Sequence, residues 1–119
     1  MTEQLGRLMQ FRAFSLKGKQ TKQQWRTLLY GVATAIDMES ADQPAVWTYP
    51  TKDGAGGNGH TMCLPITTSF ICLDTWPDHD GAYLVVCSCR KFDPRALREF
   101  LHKYGLVVND ERDHHMEIK

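Results

Sequence analysis

Three β-rich runs separated by turn signals, residues 61–66, 69–75 and 82–89, constrain this chain most. Connections that short favour antiparallel neighbours, because parallel strands need a long crossover. Two amphipathic helices flank the runs. Thr21-Lys22-Gln23-Gln24 has the form of a capping box, and Trp25, Leu28, Leu29, Val32 and Ile36 then recur at helical spacing. This predicts a helix over 22–38. Asp93-Pro94 supplies an acidic N-cap and a proline at the first helical position. Leu97, Phe100, Leu101 and Tyr104 form a second apolar stripe, which Gly105 ends.

The remaining elements are shorter. Residues 10–16, around Phe11, Ala13 and Phe14, read as a first strand; 45–49 read as another, and a last one begins at 106–108. Pro65 marks its run as an edge strand or one that ends early. Residues 51–59 hold four glycines and read as a loop, and the charged tail 110–119 reads as frayed. The order is β-α-β-β-β-β-α-β. Two helices with one apolar stripe each must cover one face of the sheet, so the expected fold class is α+β. It is a two-layer sandwich with an antiparallel sheet, built as a single domain over residues 1–119.

Composition narrows the function classes. The 119 residues carry 14 basic and 14 acidic side chains, so no net charge argues for a nucleic acid or a membrane surface as partner. No segment approaches the roughly 18–20 apolar residues that span a bilayer. Residues 1–10 lack the apolar core of a signal peptide, so the expected location is cytoplasmic, with Cys63, Cys72, Cys87 and Cys89 reduced. None of the four makes a C-x-x-C pair. Cys87 and Cys89, two apart on a strand, are expected to share a face, but no second ligand pair is spaced to help them and no metal site is expected. His114 and His115 lie in the polar tail, and Gly54-x-Gly56 lacks the strand–helix context of a phosphate loop.

Chemistry concentrates between residues 68 and 89. A serine, Ser69, opens one run; that run ends on a Thr75-Trp76-Pro77 corner, an acidic loop follows (Asp78 to Gly81), and the next run closes on Cys89. Serine, carboxylate and thiol together offer a nucleophile and proton carriers. Taken alone, Trp76 and Pro77 are a bulky corner and Asp78 is a solvated turn residue.

In register, Ser69, Thr75-Trp76-Pro77-Asp78, Cys89 and Lys91-Phe92-Asp93-Pro94 resemble the prokaryotic S-adenosylmethionine decarboxylase family, small pyruvoyl-dependent enzymes of polyamine synthesis. The resemblance implies a homodimer of two-layer sandwiches with active sites near the subunit boundary. It implies autocatalytic cleavage between Thr68 and Ser69, with Ser69 becoming a pyruvoyl cofactor that takes up a substrate amine and accepts electrons as carbon dioxide leaves. Cys89 is then the acid that reprotonates the product. Thr61 stands where the family has a processing serine, and Asp78 stands for the glutamate that holds the ribose hydroxyls. Three positions depart from the pattern: Asp74 and Phe70 replace histidines, and Thr68 replaces a glutamate. Asp74 keeps a carboxylate able to abstract a proton but, ionised, cannot donate one. Phe70 and Asp78 fall at substrate-binding positions. The implied function is a lyase, a self-cleaving decarboxylase of S-adenosylmethionine or a related amino acid. The alternative is a non-processing homologue that binds a nucleoside-like ligand or a protein partner.

Overall fold

A computed structural model describes residues 7–51 and 57–118. Six strands and two helices follow one another in the expected order: β1 (Arg7–Lys17), α1 (Lys22–Ala35), β2 (Ala45–Pro50), β3 (Asn58–Ile66), β4 (Ser69–Trp76), β5 (Gly81–Ser88), α2 (Pro94–Lys103) and β6 (Val107–Ile118). The strands form one antiparallel sheet in the order β2-β3-β4-β5-β1-β6. The α+β two-layer sandwich is therefore correct. α1 packs on β3 and β4, and α2 lies beside α1 and against β6. Phe14, Leu16, Met62, Leu64, Ile71, Leu73, Leu84 and Val86 meet Leu28, Leu29, Val32, Leu97 and Leu101 in one buried core.

Local signals set the helix ends. Thr21 Oγ1 accepts from the Gln24 N–H at 3.1 Å, while Gln24 Oε1 accepts from the Thr21 N–H at 2.8 Å. Asp93 caps α2 by accepting from the Arg95 N–H at 2.9 Å. Two boundaries in this part of the chain differ from expectation. α1 stops at Ala35 rather than at residue 38, because Asp37 turns into the left-handed region (φ 59°) and the Met38 N–H closes onto Ala33 O at 2.8 Å. β3 begins at Asn58, so Gly59 and His60 belong to the sheet; residues 52–56 of the expected loop, with Gly54 and Gly56, lie outside the described residues.

Pro65 does not make β3 an edge. β3 lies between β2 and β4, but β2 begins only at Ala45, opposite Cys63. Pro65 thus sits past the β2 ladder, where its missing N–H costs no bond, and its carbonyl accepts from the Ala41 N–H at 2.8 Å.

The tail is not frayed. It is the edge strand β6, paired along β1 from Arg7 to Lys17 with a shift between Ser15 and Leu16. Arg12 holds it by pairing with Glu111 and, at 3.2 Å, with Asp113; Arg98 of α2 reaches Glu111 at 2.7 Å. From Asn109 to His115 every residue of β6 is polar, so its sequence lacks the alternation that marks a half-buried strand.

The sheet's other face carries no helix among the described residues. Trp47, Tyr49, Phe70, Trp76, Tyr83 and Met116 are exposed and fall on it by strand alternation.

Candidate active site

The sequence-predicted residues form two groups at opposite ends of β4. The first lies at the β3–β4 turn. Ser69 opens β4, and its Oγ donates to Cys87 Sγ at 3.4 Å. The Cys89 backbone N–H donates to Thr68 O at 3.1 Å. The thiol nearest the Ser69 hydroxyl is therefore Cys87, while Cys89 meets the Thr68–Ser69 peptide through its backbone. β5 ends at Ser88 and Cys89 lies in the bend beyond it, so the expected shared strand face for Cys87 and Cys89 does not exist. Ser88 Oγ, fully buried, donates to Arg90 O (2.7 Å), accepts from the Arg90 N–H (2.9 Å) and lies 3.0 Å from Thr68 Oγ1. This fastens the bend after β5 to the β3–β4 turn. Phe70, the next residue, faces outward.

The second group lies at the far end. Thr61 and Asp74 are directly opposite in the β3–β4 ladder, and Thr61 Oγ1 donates to Asp74 Oδ1 at 2.9 Å. Tyr49 Oη donates to the same oxygen at 2.8 Å and lies 3.3 Å from Thr61 Oγ1. The bond with Thr61 favours ionisation of Tyr49, but burial and the neighbouring Asp74 carboxylate outweigh it and hold the phenol above its ordinary value. Tyr49 is the residue that sequence reasoning missed. Only its strand position pointed to it, and its target lies on a strand two places away.

Beyond Asp74 the chain turns through a short 3-10 segment, Pro77–His79, closed by Asp80 in the left-handed region (φ 50°). This sets Asp78 beside a cleft of about 180 Å³ lined by Tyr49, Gly59, Asp74, Trp76, Pro77 and Asp78. The carboxylates of Asp74 and Asp78 thus share one cleft. Its volume is below the roughly 300 Å³ at which small-molecule pockets begin.

Ser69 and Asp74 stand five residue steps apart, about 16 Å along β4. Within one chain the structure unites Thr61, Asp74 and Asp78, and unites Thr68, Ser69 and Cys89, but does not bring the two groups together. Among the described residues no three His, Cys, Asp or Glu side chains are placed to hold a metal ion.

In structure the chain is similar to the adenosylmethionine decarboxylase from Aquifex aeolicus VF5, with a TM-score of 0.61 and 20% identity over 94% of this chain and 90% of that one. That likeness shows the fold. No curated protein matches the sequence. The sequence profile of S-adenosylmethionine decarboxylase matches residues 18–105, well over half of the chain, a span that contains both groups. The chain belongs to the S-adenosylmethionine decarboxylase family.

Proposed function

We propose that this protein is a pyruvoyl-dependent decarboxylase that cleaves itself between Thr68 and Ser69 and acts on S-adenosylmethionine or a related amino acid of polyamine metabolism. One observation carries the reading: the Cys89 N–H donates at 3.1 Å to the Thr68 carbonyl oxygen, on the carbon that Ser69 Oγ must attack. A fixed donor there stabilises negative charge as it develops on that oxygen.

In the first step the Ser69 Oγ bonds to the Thr68 carbonyl carbon, and the Ser69 nitrogen leaves with a proton, giving an ester. Loss of the Ser69 Cα proton then expels Thr68 as a carboxylate. The remaining dehydroalanine hydrolyses, releasing ammonia and leaving a pyruvoyl terminus. That group supplies the carbonyl that takes up a substrate amine and accepts electrons as carbon dioxide leaves. Cys89, tied to the cleavage site by its backbone N–H, delivers the proton to the product carbon, for which it must hold the proton as a thiol. Asp78 offers two acceptor oxygens to ribose hydroxyls, and the Phe70 ring bounds the substrate near Ser69.

The reading includes a homodimer in the cytoplasm, with neither nucleic acid nor membrane as partner. The helix-free face exposes several large apolar side chains. A second copy laid across it with strands reversed would set the Ser69 end of β4 in one copy near Thr61 and Asp74 of the other. That covers the apolar residues and enlarges the small cleft. Mass spectrometry of the purified chain tests the cleavage: two fragments meeting at 68/69, the second with a carbonyl terminus, are expected. An intact chain with an unmodified Ser69 after long incubation overturns it.

One observation favours the alternative, a non-processing homologue that binds a nucleoside-like ligand or a protein partner. Asp74 Oδ1 is already engaged by Tyr49 and Thr61, which suits a fixed acceptor better than a free base. An intact chain that still shows a thermal shift with S-adenosylmethionine would identify this case.

A further inference from the structure

Midway between the two groups, on the helix-free face, Cys63 and Cys72 stand directly opposite each other in the β3–β4 ladder. Cys72 Sγ lies 2.9 Å from Cys63 Sγ and donates its S–H to it; both thiols are free and partly exposed. A disulfide needs about 2.05 Å between the sulfurs, and opposed residues on adjacent strands already hold their Cβ atoms near the required separation. Closing the remaining gap of under an ångström takes small side-chain rotations and no change of register.

We infer that Cys63 and Cys72 form a reversible redox site that closes to a cross-strand disulfide on exposure to a low-molecular-weight disulfide such as oxidised glutathione. The chemistry balances in two exchanges. The Cys63 thiolate attacks one sulfur of glutathione disulfide, forming a mixed disulfide and expelling one glutathione thiolate. Cys72, giving its proton to that thiolate, attacks the Cys63 sulfur and expels the second glutathione. Two protein thiols are oxidised to one disulfide, and one glutathione disulfide is reduced to two glutathiones.

The order of attack follows from the surroundings. Burial pushes the Cys72 thiol up to about 12, and its hydrogen bond to Cys63 and the nearby Cys63 and Cys87 sulfurs add to this. Cys72 therefore keeps its proton while Cys63 accepts the hydrogen bond, so Cys63 is the first nucleophile and Cys72 the resolving thiol.

The bond would tie together the strands that carry Thr61 and Asp74, one same-face row away. The inference needs no decarboxylase activity and no cleavage. A second copy over this face would screen the pair, so the disulfide belongs to the uncovered chain and the test is done at high dilution.

The experiment treats the native full chain with glutathione disulfide, blocks remaining thiols with an alkylating agent, and maps peptides without reduction. The expected result is a loss of two hydrogen masses, a Cys63–Cys72 linked peptide, and full reversal by dithiothreitol. Cys63→Ser is expected to abolish the internal bond, and Cys72→Ser to stop the reaction at a glutathione adduct on Cys63. Persistence of both free thiols, linkage of Cys72 to Cys87 instead, or a stable adduct on unaltered protein would each overturn the inference.

Discussion

Tyr49 crosses the sheet directly over Gly59: a Cβ at position 59 would lie 2.7 Å from Tyr49 Cε2 and 3.1 Å from Cζ. The absent side chain lets the phenol reach past β3 to Asp74, 2.8 Å away on β4. Tyr49→Phe is expected to destabilise the fold by about 1 kcal/mol, the size of one partly exposed hydrogen bond to a carboxylate. Gly59→Ala is expected to cost at least as much by lifting the ring. Urea titration of both variants and the double variant checks the coupling: the two effects should be clearly non-additive.

Ser69 and Cys89 are expected to separate cleavage from turnover. Ser69→Ala should leave a full-length chain with no decarboxylation. Cys89→Ala keeps the backbone N–H on Thr68 O, so the fragments should still form while carbon dioxide release falls roughly 100-fold or more. A denaturing gel and a radiometric carbon dioxide assay read the two steps independently.

Arg12 anchors β6 through Glu111 and Asp113. Arg12→Ala leaves the half-buried Glu111 with only Arg98 and is expected to cost about 2 kcal/mol. Hydrogen exchange should show the loss concentrated in 107–118, with α1 and β4 protected as before.

The exposed apolar face gives an assembly prediction. Phe70→Glu combined with Tyr83→Glu is expected to yield a folded monomer at concentrations where the natural sequence is expected to form the proposed dimer. Sedimentation velocity reads the state, and an unchanged dimer would place the interface elsewhere.

His60 gives a pH dependence. Burial, with the Lys22 charge adding to it, lowers its pKa below the ordinary 6.5. The unfolded chain therefore binds this proton at a higher pH than the folded one. Stability from this group is complete above about pH 6.5 and is lost as pH falls toward the folded value. His60→Gln is expected to flatten that acid-side decline in a thermal melt series, while leaving the melting temperature at pH 8 nearly unchanged.

Residues that act on near neighbours along the chain were legible in the sequence. The Thr21–Gln24 box, the Asp93-Pro94 start and the Gly105 stop all operate within one helical turn, and each works as read. The three β-rich runs likewise appear where they were read, as β3, β4 and β5. The extension of β6 through the tail escaped, because Glu111 and Asp113 are ordered by Arg12, about a hundred residues away, and nothing local marks that. The helix end at Ala35 escaped because Ile36 and Met38 are apolar and buried, as a continuing stripe would be, while the stop depends on the backbone turn at Asp37.

The sequence by itself determined the fold class, the family and the residue types available for chemistry, since periodicity, caps and motif spacing are properties of adjacent residues. The tertiary structure alone decided which of those residues meet. The antiparallel register set Thr61 against Asp74 and Cys63 against Cys72, brought Tyr49 across Gly59 and put the Cys89 N–H on the Thr68 carbonyl. It also held Ser69 apart from Asp74, because an extended strand keeps its two ends separate however close they stand in the sequence.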